Sequence, residues 1–178
     1  LEGCKLALQS DINYNNGDYI SPPKKGLKAF SRNYTSTLFD KEGYEEGLHL
    51  NLFDGFEDTE SYLDYMDAFF GSIDANDLLG MLNTWQMGDI GKHQKFNNNT
   101  KEALANINCP ALVMPSSTDL SFPARNNIPE VSEMSDAQLV IINTKHGHLA
   151  GGMSTALTSQ EDVTFIDKNI KEFLKKIT

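Results

Sequence analysis

Cysteine, tryptophan, basic charge and long apolar runs are all in short supply in this sequence, and each shortage removes a class of protein. Cys4 and Cys109 are the only cysteines among 178 residues. Two distant thiols cannot build a disulfide framework, and no C-x-x-C pair offers a metal site. Both are expected to be buried free thiols in a reducing, cytoplasmic setting. Fifteen Lys and Arg stand against 25 Asp and Glu, a net charge of −10. That balance argues against nucleic acid, whose phosphates demand a basic face. No apolar stretch reaches the roughly 20 residues of a bilayer-crossing helix, so no membrane partner is expected. No charged, apolar and small-residue succession marks a signal peptide. The first residue is Leu and Leu1–Leu8 already reads as mid-helix, so the expectation is that the sequence starts partway through a longer protein.

What is present reads as three parts. Residues 1–21 form a short helix and a polar loop with turn formers at Asn15, Asn16 and Gly17. Residues 22–96 read as wholly helical, opening on Pro22 and Pro23. Leu27, Phe30 and Tyr34 share one face, and Tyr62, Tyr65, Met66 and Phe69 recur at i, i+3, i+4 and i+7. A further helix is predicted to start at the N-cap Asp74, with Leu78, Met81, Leu82 and Trp85 as its stripe and Gly88 as its stop. From Asp40 to Asp77 there are 12 Asp or Glu and one Lys. This acid is read as solvated helix faces, the alternative being a lid whose field disfavours anionic ligands. His49 and His93 fall in this region without a partner pattern.

Residues 97–178 change character. Lys101–Asn106 reads as a short helix. Ala111–Pro115 and Gln138–Asn143 are short apolar runs of the kind buried on both faces in parallel sheets. The final helix sets Val163, Ile166, Ile170, Phe173 and Ile177 on one side. Strands alternating with helices predict an α/β parallel sheet.

In such sheets ligands bind outside the carboxyl ends of the strands. The loop after the first strand carries Asp119, and the loop after the second carries His148, 29 residues later. That spacing fits one helix and one strand, so the two loops should be neighbours. An Asp that accepts from histidine Nδ1 fixes the ring's tautomer and leaves Nε2 to take and return a proton. Glycines at 147, 151 and 152 would let backbone approach a ligand. His146 competes with His148 from two residues away. A strand-to-helix nucleophile elbow needs G-x-S-x-G or a close relative. None is present, and Ser116 and Ser117 lack the flanking glycines.

Three motifs in order carry a family resemblance. D-A-N-D-L-L-G-M-L-N-T-W-Q-M-G-D-I-G (Asp74–Gly91), T-D-L-S-F-P (Thr118–Pro123) and G-H (Gly147, His148) resemble segments of the homoserine O-acetyltransferase family. The resemblance implies the C-terminal half of an α/β-hydrolase fold with an inserted helical lid over 22–96. It implies Asp119 and His148 as catalytic acid and base, with the serine nucleophile and oxyanion hole preceding Leu1. Arg32 and Leu149 fall near substrate-binding positions of the family. Family members typically carry Asp after the histidine, thought to hold an amino group. Leu149 cannot do so, because an apolar side chain leaves a buried ammonium unpaired, which argues against homoserine as the acceptor. The expected reaction is acyl transfer through an acyl-serine. The alternatives are hydrolysis on the same scaffold and a non-catalytic truncated copy. No cofactor or metal is expected. Acetyl-CoA would enter as an acyl-donor substrate, and a small alcohol as acceptor. The other partners are the N-terminal half and, as an open alternative, a second copy in a homodimer. The chain alone is expected to be inactive on esters and to self-associate, because two strands leave apolar faces and an edge uncovered.

Overall fold

The computed structural model describes residues 1–53, 55–151 and 159–177. In chain order its helices and strands are α1 (Glu2–Gln9), α2 (Lys24–Thr35), α3 (Lys41–Glu45), α4 (Thr59–Gly71), α5 (Ala75–Met87), α6 (Thr100–Ala105), β1 (Ala111–Val113), α7 (Ala124–Ser132), β2 (Ala137–Leu139) and α8 (Gln160–Ile177). Short 3₁₀ turns lie at 12–17, 48–51, 90–92, 94–96 and 147–149. No described helix is long and apolar enough to cross a membrane.

The chain divides into two compact units, and both are discontinuous. The first is residues 1–37 with 55–88, and the second is 38–54 with 89–178. The boundaries drawn from sequence, 1–21, 22–96 and 97–178, follow chain order, whereas residues 38–54 group in space with the C-terminal residues. The 22–96 region is helical but broken, with an irregular passage between α3 and α4.

The first unit is all helical. α2 packs on α1 and α4 around Leu8, Leu27, Phe30 and Tyr62, each nearly or wholly withdrawn from solvent. Phe30 meets Phe70 edge-on at 5.3 Å, a favoured aromatic geometry. α4 buries Tyr62, Met66 and Phe70, so its core face is i, i+4, i+8. Tyr65 and Phe69, placed on the stripe by their spacing, are 43% and 51% exposed. Met81 of α5 is likewise exposed, and Leu79 takes its place beside Leu78 and Leu82. A window with four aromatics and a Met near one another fits two rotations of the helix, and the neighbouring helix selects one.

The D-A-N-D segment holds this unit together. Asp74 caps α5 by accepting from the backbone N–H groups of Asn76 (2.8 Å) and Asp77 (3.3 Å). Its other oxygen accepts from the Tyr19 hydroxyl at 2.6 Å. Asn76 donates to the Gly17 carbonyl and accepts from Tyr14. Asp58 caps α4 through a reciprocal bond with Ser61.

The second unit carries the sheet. β1 and β2 pair in parallel with Ala111 opposite Ala137 and Val113 opposite Leu139. A further bridge joins Ser116 to Ile142. α7 crosses between the strands and packs on β2. The strands are shorter than the apolar runs suggest and half-buried instead of buried. Each described strand has one neighbour, so its other edge and part of its faces stay open. α8 shows the same openness: Ile170, Leu174 and Ile177 are exposed. Cys4 is buried, and burial raises its thiol's pKa. Cys109 is exposed, contrary to expectation, because it sits in the loop before β1, where its apolar character is not used.

Candidate active site

Parallel pairing carries the two strand ends forward together. The Ile142 N–H donates to the Pro115 carbonyl and the Ser117 N–H to the Ile142 carbonyl, both at 2.9 Å. The loops that follow are therefore adjacent, and they are stitched to each other. Thr118 and Ser117 hydroxyls donate to the Thr144 carbonyl at 2.9 and 3.2 Å. The Gly147 N–H donates back to Thr118 Oγ1 at 3.2 Å.

Asp119 and His148 meet on these loops. Asp119 Oδ2 lies 3.0 Å from His148 Nδ1, with the side chains 10% and 25% exposed. A carboxylate can only accept, so Nδ1 carries the proton and Nε2 is the basic nitrogen. Asp119 is itself held: Oδ1 accepts from the backbone N–H groups of Ser121 (2.7 Å) and Phe122 (3.0 Å). The carboxylate thus has one oxygen for its own turn and one for the imidazole. The Phe122 ring stacks on His148 with centroids 5.6 Å apart.

Residues 38–54 support the histidine from behind. The His148 N–H donates to the Leu38 carbonyl at 2.8 Å. Gly147 has φ +55°, and a Cβ there would sit 2.5 Å from that same carbonyl oxygen, so the position requires glycine. A Cβ on Gly43 would sit 2.6 Å from the Lys145 carbonyl oxygen. Lys145 pairs with Glu46 and Glu42 at 2.5 and 3.5 Å. Phe39, fully buried, faces Tyr44, His49 and His146. His49 is packed into this cluster, and burial holds its imidazole below the ordinary pKa.

The remaining candidates make other contacts. Arg32 lies in the first unit, with its guanidinium engaged by Glu60 (2.9 Å), Asp64 (3.3 Å) and Asp67 (2.8 Å). It is the counter-ion of the acidic α4 face, and those carboxylates already occupy its donors. Leu149 closes the 3₁₀ turn after His148, its N–H donating to the His146 carbonyl at 3.0 Å. His93 is exposed and accepts from the Lys95 N–H. Gly151 has φ +72°, and Gly152 lies outside the described residues. Among the described residues no group of three or more His, Cys, Asp or Glu is placed to hold a metal ion. Phe122, Leu38, Thr118 and Thr144 were missed by sequence reasoning. Only the D-x-S turn at Asp119 left a readable trace, as a side chain able to cap its own loop.

No family model matches the chain. It is 31% identical over 171 residues to a "probable esterase" of Corynebacterium glutamicum, a match covering 94% of this chain and 47% of that protein. It is 28% identical over 146 residues to an ethyl acetate hydrolase of Pseudomonas veronii (80% and 41%). It is 27% identical over 173 residues to a homoserine O-succinyltransferase of Saccharophagus degradans (83% and 43%). Two solved structures superpose on nearly all of it. An acetylester hydrolase from Corynebacterium glutamicum gives a TM-score of 0.82 at 28% identity, covering 98% of this chain and 48% of that one. The acetyl esterase MekB gives 0.83 at 26%, covering 98% and 49%. The chain therefore has part of an α/β-hydrolase fold, and its relatives are esterases and homoserine O-acyltransferases. It spans about half the length of the curated relatives it matches.

Proposed function

We propose that these residues supply the acid and the base of a serine esterase, with the nucleophile contributed from outside the 178 residues. The contact between Asp119 Oδ2 and His148 Nδ1 carries the reading. In the proposed cycle the serine Oγ attacks the ester carbonyl while His148 Nε2 takes the hydroxyl proton. The imidazolium, stabilised by the Asp119 carboxylate, gives that proton to the departing alcohol. Water then attacks the acyl-serine and gives a proton to Nε2, which passes it to the serine Oγ as the acyl–Oγ bond breaks, releasing the acid and restoring the free serine and neutral imidazole. The names of the esterase relatives favour short acyl esters such as ethyl acetate as substrates. Leu149 supports water over an amino-acid acceptor, because it offers an ammonium group no counter-charge.

The homoserine acyltransferase relatives and the Asp74–Gly91 resemblance favour a second reading, transfer of the acyl group to an alcohol, with acetyl-CoA as donor. The chemistry differs only in what attacks the acyl-enzyme.

Asp119→Asn tests the acid in a protein with a complete site. The Ser121 and Phe122 N–H groups demand the amide oxygen at the Oδ1 position, which turns the NH₂ toward His148. A donor would then face Nδ1, the proton would move to Nε2, and the base would be lost. Turnover of ethyl acetate should fall by about 10⁴-fold, and activity within tenfold of wild type refutes the assignment. Thiol release from acetyl-CoA that requires an added alcohol would favour transfer over hydrolysis.

A further inference from the structure

A second acid–histidine contact lies on the same loop as the first. Asp162, in the first turn of α8, is buried. Burial of a carboxylate is costly unless its oxygens are satisfied. Its Oδ2 accepts from Thr144 Oγ1 at 2.7 Å and lies 3.2 Å from His146 Nδ1. Thr144 Oγ1 also lies 2.9 Å from His146 Nδ1 and accepts from the His146 backbone N–H at 3.2 Å. A hydroxyl has one proton and two acceptor sites. Its proton goes to Asp162, so both remaining contacts must be donors to it, and His146 carries its proton on Nδ1.

We propose that Asp162 is a positioning residue for His148, acting through Thr144 and His146. Thr144 is the node of the network. Its hydroxyl reaches α8, while its carbonyl receives Ser117 and Thr118 from the loop of Asp119. Thr118 in turn accepts from Gly147, the residue before His148. The histidine loop is thus clamped between the acid loop and the last helix. Acids in a first turn commonly serve their own helix through its dipole. Asp162 instead spends an oxygen on the loop, and that oxygen accounts for the saturation of Thr144. Without it the Thr144 proton turns to another acceptor, His146 loses its fixed tautomer, and the loop loses one of its holds. This inference rests on the reading of His148 as a base.

The test is ¹⁵N NMR of the histidine rings in the full chain, at a pH where the rings are neutral. Four histidines allow assignment by single substitution. In the wild type His148 and His146 should both show the Nδ1–H tautomer. Asp162→Asn, whose carbonyl can take the Oδ2 position, should keep both. Asp162→Ala and the near-isosteric Thr144→Val should raise the Nε2–H fraction of His148 at least threefold, and Thr144→Ser should restore it. A folded Asp162→Ala or Thr144→Val chain with an unchanged His148 tautomer overturns the positioning role. So does loss of fold in Thr144→Val, which would make the cluster a stability element. A wild-type His148 without the Nδ1–H tautomer instead overturns the functional reading itself.

Discussion

Replacing Gly147 by Ala should unseat His148, and the structure sets the size of the effect. The new Cβ would lie 2.5 Å from the Leu38 carbonyl oxygen and 2.9 Å from the Phe39 Cα. Carbon–oxygen contacts settle at about 3.3–3.6 Å, so the gap must open by roughly 1 Å, and backbone on both sides leaves no flexible side chain to give way. The bond from the His148 N–H to the same Leu38 oxygen, now 2.8 Å, would stretch beyond the range of a hydrogen bond. That loss costs ~1 kcal/mol or more. Holding a non-glycine residue at φ +55° adds ~1–2 kcal/mol. The sum is about 2–4 kcal/mol on the second unit. On the proposed function, a roughly 1 Å displacement of His148 in a complete enzyme would cost about 100-fold in turnover. Urea unfolding followed by far-UV circular dichroism measures the stability, and the His148 Nδ1–H resonance reports the site. Gly80→Ala is the control: it lies within α5 with open space around it and should stabilise by about 0.5–1 kcal/mol. A Gly147→Ala chain less than 1 kcal/mol weaker, with the His148 resonance unchanged, would refute the close-approach argument.

Two further outcomes follow from charge and burial. Burial pushes the Asp67 carboxyl up, but its polar neighbours, Arg32 foremost, outweigh it and hold it below the usual value, and Arg32 lowers Glu60 as well. Groups depressed in the fold stabilise it above their unfolded values, near pH 4, and that contribution is lost as pH falls through the folded values. Trp85 fluorescence should therefore show the first unit weakening below about pH 4. Arg32→Met should remove ~1–2 kcal/mol at neutral pH and flatten the acid slope, and an unchanged slope would sink the ion-pair account. Thiol labelling under native conditions should modify the exposed Cys109 at once and Cys4, buried with a raised thiol pKa, only on unfolding. Equal rates for the two would contradict the packing of α1.

Local chemistry was legible in the chain itself. Asp74 announces the start of α5 because an N-cap needs only its own next three residues. The Asp119 and His148 loops could be placed side by side because parallel strands joined by one helix leave from the same end of a sheet. Those inferences depend on short-range geometry and on a topology with few alternatives. The face that α4 turns inward, the exposure of Cys109 and Met81, and the grouping of residues 38–54 with the second unit were decided by tertiary packing. The same holds for the Leu38 carbonyl behind His148 and the link from Asp162 to Thr144. Each depends on contacts between distant segments, and a carbonyl oxygen or a threonine hydroxyl leaves no periodic or compositional mark that tells which distant partner it will meet.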